Sequence, residues 1–253
     1  MSNSSLPLDG QTAIVTGSSR NVGRAIAMGL AADGASVVVN ARDDDDGATA
    51  VVAEIDALGG KAIKHMADVT DEAAVEGLVQ AAMDAFGGLH ILVNNAAVRR
   101  QQSIESMSLA EWRAVIAVIL DAAFLCARAS LPHMAAAGGG AIVNIGGISA
   151  HFGAVDRPHV VAAKAGVIGL TKAIAVDYAA RNVRANCVVP GTMDTTRGEN
   201  AHPVAPHPGG HQALIDRLGT PEELAAAVRY LCSPDAAYVT GQTLHVNGGR
   251  YLP

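Results

Sequence analysis

Residues 13–26 read Ala-Ile-Val-Thr-Gly-Ser-Ser-Arg-Asn-Val-Gly-Arg-Ala-Ile, and this stretch decides the fold. Its first four residues predict a buried parallel strand. Gly17 ends that strand, and Gly23 stands in an apolar run that continues to Leu30 at helical spacing. A strand, a glycine-bearing turn and a helix in this order can cradle a phosphate, because free backbone N–H groups and the positive end of the helix dipole favour an anion. An ordinary strand-to-helix turn is the simpler alternative, but the context on both sides favours nucleotide binding.

The composition fits one α/β domain and argues against a nucleic-acid partner. Of the 253 residues, 50% are hydrophobic and only 3% are aromatic, so the core consists mainly of Ala, Val, Ile and Leu. This composition favours helices packed closely on a parallel sheet, whose strands are apolar throughout. The net charge of -6 leaves no basic face for a phosphate backbone, and nucleic-acid binding requires such a face.

Three features predict a cytoplasmic protein. Cys126, Cys187 and Cys232 are odd in number and lack paired spacing, which is typical of reduced thiols. The first ten residues contain no basic region followed by an apolar core, so we expect no signal peptide. No uninterrupted apolar run reaches membrane-spanning length, so we expect no membrane partner.

Predicted strands and helices alternate along the whole chain. Strands are expected at 13–16, 36–40, 61–66, 89–94, 141–145, 182–189 and 243–246. Helices are expected at 22–30, 48–58, 71–86, 109–133, 158–181 and 221–232. This alternation predicts a doubly wound parallel sheet flanked by helices, in one domain that spans residues 1–253.

The segment 192–219 is irregular and rich in proline and glycine. It follows the carboxyl end of a strand, where open α/β sheets bind ligands, so we interpret it as a substrate lid. His202, His207 and His211 lie in this segment and raise the question of zinc. Prolines between them prevent a helical ligand pair, and no cysteine or carboxylate stands at a metal-like spacing. We therefore expect solvated or substrate-contacting histidines and no metal.

Several separate motifs follow one another from Leu8 to Gly249. They are Thr16-Gly17-x-x-x-Asn21-x-Gly23, Ala67-Asp68-Val69, Asn94-Asn95-Ala96-Ala97, Lys164 within Ala-Ala-Lys-Ala-Gly-Val-Ile-Gly-Leu-Thr-Lys, Pro190-Gly191 and Val246-Asn247-Gly248-Gly249. Together they resemble the short-chain dehydrogenase/reductase family. The resemblance implies a Rossmann fold, a nicotinamide dinucleotide, a small-molecule substrate, and a homotetramer built on the two long helices and the C-terminal segment.

The resemblance also implies which residues contact the cofactor. The phosphate turn contributes Gly17, Ser19, Arg20, Asn21, Val22 and Gly23. Asp68 and Val69 meet the adenine, Asn94 and Ala96 lie along the cofactor, Pro190, Gly191 and Thr195 hold the nicotinamide end, and Lys164 bonds the ribose.

Two glycine positions of the family are replaced here. The middle glycine of the phosphate turn is Asn21, and the last residue of the Asn-Asn-Ala-Gly motif is Ala97. Asparagine tolerates left-handed backbone better than most residues, so we expect Asn21 to preserve the turn and to weaken cofactor binding without abolishing it.

Charge near the end of the second strand indicates which dinucleotide is bound. NAD recognition usually uses an acidic residue there, whereas NADP requires positive charge for its 2′-phosphate. The strand ends at Asn40, Arg42 follows two residues later, and Arg20 lies in the phosphate turn, so we expect NADP(H) rather than NAD(H). The acidic run 43–46 would repel the phosphate if it pointed inward, but acidic residues at a helix N-terminus normally stay solvated.

The family's active site is Asn-Ser-Tyr-Lys, and the resemblance carries over only its lysine. In the family, serine orients the carbonyl oxygen, tyrosine exchanges a proton with it, lysine lowers the tyrosine pKa, and asparagine holds a helix kink and a water. Lys164 matches the lysine. Val160, Gly147 and Ile119 stand where tyrosine, serine and asparagine are expected. The usual proton relay therefore cannot operate, and losing general-acid help typically costs on the order of 10²- to 10⁴-fold in rate.

Other groups near the cleft are candidates for the missing proton donor. A six-residue spacing between tyrosine and lysine, as in enoyl reductases of this fold, is absent too, because Arg157 and Pro158 occupy that region. His159 has an ordinary pKa near ~6.5, which suits acid–base work near neutral pH, so it joins Lys164 as a candidate catalytic residue. On a regular helix, however, His159 is turned away from the Lys164 face, which favours a plain polar role. Ser149 and His151 follow the missing serine and carry less weight.

Three functions remain open from the sequence. The first is an oxidoreductase that uses NADP(H) on a small carbonyl, alcohol or activated double bond, with its proton from a histidine, water or the substrate. The second is a non-redox enzyme, such as a lyase or hydrolase, that keeps the cofactor as structure. The third is a non-catalytic nucleotide-binding subunit.

Overall fold

The computed structural model describes residues 6–195 and 212–253, which form one parallel sheet between two layers of helices. The strands are β1 (Thr12–Val15), β2 (Ser36–Ala41), β3 (Lys61–Met66), β4 (Ile91–Asn94), β5 (Gly140–Ile145), β6 (Val183–Pro190) and β7 (Thr243–Val246). Their order is β3-β2-β1-β4-β5-β6-β7, and every pairing is parallel. The prediction of a single-domain, doubly wound Rossmann fold is confirmed. The strand order reverses between β1 and β4, and ligands of such sheets bind above the carboxyl ends at this point.

The helices follow the predicted alternation. They are α1 (Asn21–Ala32), α2 (Asp45–Ala57), α3 (Glu72–Phe86), α4 (Leu109–Ile116), α5 (Ala122–Ala136), α6 (Ser149–Phe152), α7 (Pro158–Tyr178) and α8 (Pro221–Cys232). A π-helical segment, Ala117–Asp121, joins α4 to α5, so the single helix predicted over 109–133 is interrupted. The short helix α6 was not predicted, because four residues are too few to show a helical repeat.

The core lies on both faces of the sheet. Along β2, Val37 and Val39 pack with α1, α2 and α8, whereas Val38 packs with α3 and α5 on the other face. This alternation follows from the two-residue period of a strand. Cys126, Cys187 and Cys232 are buried free thiols, and burial raises the pKa of each of them.

Two helical runs, Leu109–Ala136 and Pro158–Arg181, are long and apolar enough to cross a membrane by length and composition alone. Neither run is uninterrupted, because Asp121 and Arg128 stand in the first and Lys164 and Lys172 in the second. Both runs pack against the sheet, with Leu131 and Ile174 buried in the same cluster, as the core helices of a folded domain do. Phe124 and Val176 are exposed apolar side chains in these runs.

Candidate active site

The turn between β1 and α1 has the backbone shape that the sequence predicts. Gly17 has a φ of 61° and Asn21 a φ of 51°, so asparagine adopts the left-handed conformation that was expected of it. A Cβ on Gly23 would lie 2.2 Å from the carbonyl oxygen of Gly17 and 2.8 Å from the Cα of Ser18. Only glycine lets the start of α1 pack this closely on the turn.

Hydrogen bonds to β1, to β2 and to the residue after β4 hold this turn in place. The Ser18 hydroxyl donates to the carbonyl of Val15 at 2.7 Å and accepts from the backbone N–H of Asn40 at 3.0 Å. The Asn95 amide donates to the carbonyl of Gly17 at 2.9 Å. Since the first N–H groups of a helix lack intrahelical partners, the anchored turn presents donors suited to an anion.

A cleft of about 580 Å³ lies above this turn. It is lined by most of the predicted cofactor contacts, namely Gly17, Ser19, Arg20, Asn21, Val22, Gly23, Arg42, Asp68, Val69, Ala96 and Thr195. Its volume, anchored turn and exposed backbone fit a dinucleotide. The side chain of Asn94 is engaged elsewhere, because it is buried and donates to the Asn144 side chain at 2.8 Å.

The far end of this cleft carries mixed charge. Arg42 donates to Asp43 at 2.6 Å, and this hydrogen bond raises the pKa of Arg42. Burial pushes the pKa of Asp68 upward, but hydrogen bonds from Thr70 and the nearby Arg42 hold it below its ordinary value. Asp68 is therefore ionised at neutral pH, and Thr70 keeps its carboxylate in one orientation.

A second pocket, of about 250 Å³, adjoins the cleft. Val22, Asn95, Ala97 and Arg99 line both spaces. The second pocket, hereafter the reaction pocket, also contains Lys164, Pro190 and Gly191. Two of the three predicted nicotinamide-end residues therefore meet the predicted catalytic lysine here, whereas Thr195 lines the cleft.

Lys164 lies at the base of the reaction pocket and is only 8% exposed. Its ammonium group donates a short hydrogen bond to the carbonyl of Ile145, at the end of β5. Burial lowers the pKa of Lys164 to about 8, and the nearby Arg99 contributes to this decrease. Both the protonated and the free amine are consequently accessible near neutral pH.

Of the three positions expected to carry serine, tyrosine and asparagine, the first two line the pocket with this lysine. A Cβ on Gly147 would stand 3.2 Å from the Cγ of Lys164. Val160 lies one helical turn before Lys164 and lines the pocket. Ile119, within the π-helical segment, packs with Val160 and Val115 in a separate apolar cluster. These positions hold aliphatic packing rather than proton-bearing groups.

His159 lies apart from the residues that line the reaction pocket. It is 1% exposed and does not line the reaction pocket. Burial lowers its pKa, and the charges it senses are those of Arg100, Glu111 and Arg157. The neutral imidazole is thus favoured.

Ser149 and His151 also have different surroundings. Ser149 lines the reaction pocket. The His151 ring packs 4.6 Å from the His245 ring and 4.7 Å from the Tyr251 ring, and burial lowers the pKa of both histidines. Of the described residues that line the reaction pocket, none is a histidine.

Arg99 and Arg157 line the reaction pocket and were missed by the sequence reasoning. Arg99 follows the Asn94–Ala97 motif on the loop after β4, and Arg157 immediately precedes α7. The only signal was a basic residue in each of two loops at the carboxyl ends of strands, and the 58-residue separation hid their convergence on one pocket.

The predicted lid is described at its two ends. Met193 pairs with Gly219 in an isolated bridge, and a cavity of about 700 Å³ lies between 191–193, 212–219 and 245–250. His202, His207 and His211 lie outside the described residues. Within 6–195 and 212–253, no three histidine, cysteine, aspartate or glutamate residues come together as a metal site.

Comparison with known proteins agrees with the fold. Residues 17–250 match a family model described as enoyl-(acyl carrier protein) reductase. The chain is 42% identical over 248 residues to a 3-oxoacyl-(acyl-carrier-protein) reductase of Synechocystis, covering 97% of this chain and 98% of the relative. It is 39% identical over 250 residues to the enzyme of that name from Escherichia coli K12, with 96% and 98% covered.

A solved structure also resembles this chain over nearly its whole length. The crystal structure of a candidate short-chain alcohol dehydrogenase from Sinorhizobium meliloti 1021 superimposes with a TM-score of 0.89 at 33% identity, covering 97% of this chain and 98% of that one. Fold and cleft together define a Rossmann-fold oxidoreductase. More narrowly, the chain belongs to the short-chain dehydrogenase/reductase family.

Proposed function

We propose that this protein is an NADP(H)-dependent oxidoreductase that acts on a small carbonyl, alcohol or related substrate without the tyrosine relay of its family. The observation that carries the proposal is the shared wall between the nucleotide cleft and the reaction pocket, formed in part by Val22, Asn95 and Ala97. When bound, the nicotinamide cofactor supplies or accepts a hydride. The residues of the protein bind it, orient the substrate and hold the proton.

The preference for NADP(H) rests on charge. Arg20 and Arg42 both line the cleft, and positive charge there favours a 2′-phosphate. Asp43 and Asp68 offset part of this charge, but Asp43 is paired with Arg42 and Asp68 is bonded to Thr70. Asn40 cannot replace the acidic residue of an NAD site, because its amide donates to backbone carbonyls of the sheet.

The proton must come from a group that the reaction pocket contains. Lys164, with its pKa lowered to about 8, is the described group there that can both give and take a proton near neutral pH. Its ammonium group can donate to a substrate oxygen directly or through a water, and can bond the ribose hydroxyls of the cofactor. His159 is a weaker candidate for the proton donor, because it does not line this pocket.

The aliphatic replacements favour a second candidate, a nucleotide-binding protein without redox turnover. Ile119 and Val160 belong to one apolar cluster, and Gly147 offers no side chain. A non-redox enzyme on the same scaffold fits these residues too. Both alternatives predict cofactor binding without a change in its redox state.

The oligomeric state belongs to the same proposal. Exposed apolar side chains on the two long helical runs, including Phe124 and Val176, support assembly through these helices into the homotetramer that family membership implies. The three buried free thiols support a reducing, cytoplasmic compartment.

The test is transfer of label from 4-deuterated NADPH to a panel of ketones, imines and enones, followed by mass spectrometry of the products. We expect deuterium in at least one product, and a loss on the order of 10²-fold or more with Lys164→Met. Lys172→Met is the matched control, because Lys172 lies on the same helix and is exposed. Binding of NADPH without label in any product would favour the second candidate.

The pH profile identifies the proton donor. Carbonyl reduction consumes a proton, so the rate should be constant below a pH of about 8, where the Lys164 ammonium is intact, and should fall about tenfold per pH unit above it. Oxidation of the product alcohol should show the opposite trend. A profile without a break between pH 7 and 9 would exclude Lys164 as the donor.

A further inference from the structure

We propose that Lys164 is a covalent site for short aldehydes and ketones, which its side-chain amine binds as an imine within the reaction pocket. The proposal goes beyond the proposed function, because it requires the pocket and this amine but no nicotinamide cofactor. It also assigns a defined chemistry to a pocket that lacks the tyrosine of its family.

The surroundings of Lys164 keep both water and negative charge away from its amine. The lysine is buried, and the wall around it is largely aliphatic, with Ile148, Val160, Met193 and Leu224. Among the described residues that line the pocket, none is an aspartate or a glutamate. The ion pairs found in the described part of the chain do not include Lys164. A lysine desolvated in an apolar pocket is the kind that attacks a carbonyl carbon.

A glycine and a valine leave space beside this lysine. A Cβ on Gly147 would lie 3.2 Å from the Cγ of Lys164 and 3.6 Å from its Cδ, so the glycine leaves one side of the lysine stem uncovered. Val160, one helical turn before Lys164, also lines the pocket and is smaller than the tyrosine that the family has there. The pocket volume of about 250 Å³ admits a compound of a few carbons.

The backbone carbonyl of Ile145 holds the amine nitrogen in place. It accepts a hydrogen bond from the Nζ of Lys164. A neutral amine can donate one N–H to this oxygen and keep its lone pair for the carbon of a bound aldehyde or ketone. After the reaction, the same oxygen can accept from the N–H of the protonated imine, and such a charge-assisted hydrogen bond stabilises the cation.

The acid–base state of Lys164 supports this geometry. Burial lowers its pKa to about 8, and Arg99 contributes to the decrease. Half of the Lys164 amine is therefore free at pH 8, whereas an ordinary lysine with a pKa near 10.4 has roughly one free amine in 250. The reactive form is thus about a hundredfold more abundant at Lys164 than at an ordinary lysine.

Imine formation needs no oxidant or reductant. The lone pair of Nζ forms a bond to the carbonyl carbon, and the π electrons of the C=O bond move to the oxygen, which takes a proton. The nitrogen then forms the C=N bond as the hydroxyl group takes a second proton and leaves as water. The amine nitrogen loses two protons in total, so that amine and carbonyl compound give imine and water.

The experiment is reductive trapping on the full chain, with 2-butanone and sodium cyanoborohydride at pH 8 and no nicotinamide cofactor. Cyanoborohydride reduces the imine to a stable secondary amine, and peptide mass spectrometry locates the alkylated lysine. We expect Lys164 to be alkylated about tenfold or more faster than Lys172. Lys172 lies on the same helix and is exposed, so accessibility alone would give the opposite order.

A pH series tests whether the reacting amine is the buried one. The standard is Nα-acetyl-lysine, dissolved in the same reaction. The rate at Lys164 relative to this standard should fall between pH 8 and pH 10, because Lys164 is already largely deprotonated at pH 9, whereas the standard continues to gain free amine.

Gly147→Ala and Gly169→Ala are the matched variants. Alanine at 147 fills the space beside the lysine stem, so trapping at Lys164 should slow about fivefold or more. A Cβ at 169 meets no described atom within 4 Å, so trapping should be unchanged. Thermal melting checks that both variants are folded.

Three results would each overturn the proposal. They are trapping at Lys172 that equals or exceeds trapping at Lys164, a rate ratio that stays constant from pH 8 to pH 10, and full trapping in a folded Gly147→Ala variant.

The outcomes also separate this inference from the proposed function. Trapping at Lys164 without label transfer from NADPH would support the imine site and reject the oxidoreductase. Label transfer from NADPH without trapping at Lys164 would support the oxidoreductase and reject the imine site.

Discussion

The nucleotide cleft and the reaction pocket share a wall but are built in different ways. The cleft depends on backbone: Gly17 and Asn21 adopt left-handed conformations, and Gly23 packs without a side chain against the turn. The pocket depends more on side chains, and Gly147 and Val160 line it at positions where the resemblance predicts a serine and a tyrosine. Binding and chemistry are therefore specified by separate parts of the sequence, and one can change while the other is kept.

The charges of the two regions differ as well. At the far end of the cleft, Arg42 is paired with Asp43, and Asp68 is bonded to Thr70. The reaction pocket has cations but, among its described lining residues, no acid. The described charged side chains that line the cleft are therefore of both signs, whereas those that line the reaction pocket are cationic.

The largest effect is expected when a serine and a tyrosine are introduced into the reaction pocket. Gly147→Ser together with Val160→Tyr should raise the rate of reduction of a neutral ketone by on the order of 10²-fold. This expectation holds if the missing proton donor is what limits the rate in the unchanged protein. The Cβ of a serine at 147 would meet only the flexible Lys164 side chain. Steady-state NADPH oxidation measures the effect.

Each single variant serves as a control for the double variant. Because serine orients and tyrosine protonates, neither alone should reach the full gain, and the two effects should exceed their sum. No gain in a folded double variant would show that the pocket differs in more than its proton donor.

A steric change in the turn should damage the cleft and leave the pocket intact. Gly23→Ala places a Cβ against backbone atoms, so we expect NADPH to bind at least about tenfold more weakly and the fold to lose about 1–3 kcal/mol. Gly169→Ala is the control, because a Cβ there meets no described atom within 4 Å and alanine favours the helix. NADPH titration and thermal melting measure both effects, and similar outcomes for the two variants would contradict the assigned role of Gly23.

The smallest effect is expected when one positive charge is removed from the nucleotide cleft. Arg42→Ala should weaken NADPH binding by about tenfold and leave NADH binding nearly unchanged, because only NADPH carries the 2′-phosphate. Arg24→Ala is a neighbouring control, since Arg24 pairs with Glu54 and does not line the cleft. Fluorescence titration with both cofactors measures the ratio, and an equal loss for both would assign Arg42 a structural role instead.

The fold could be predicted because its signals are local and repeated. The strand over 61–66 and the helix over 221–232 have the predicted bounds, since apolar patterning, Gly59-Gly60 and Pro221 mark their ends. The π-helical segment and α6 could not be predicted, because five and four residues carry no periodic pattern and depend on tertiary packing.

The candidate site was predictable only where a motif carried it. Lys164 and the phosphate turn belong to motifs, so their positions could be predicted from the resemblance. The convergence of Arg99 with Arg157 could not, because it depends on how two loops at the ends of different strands are folded together. For the same reason, the separation of His159 from the lining of the reaction pocket required the structure.

The apolar cluster of Ile119 and Val160 has a consequence for how such a pocket can evolve. Ile119→Asn alone would place an amide among aliphatic side chains, and an unsatisfied buried polar group costs about 1–3 kcal/mol. Stability would thus be lost before any activity is gained. Evolution from this pocket to one with a polar relay therefore requires either paired substitutions or an intermediate of lower fitness. The two pocket types are hard to interconvert although their folds are the same.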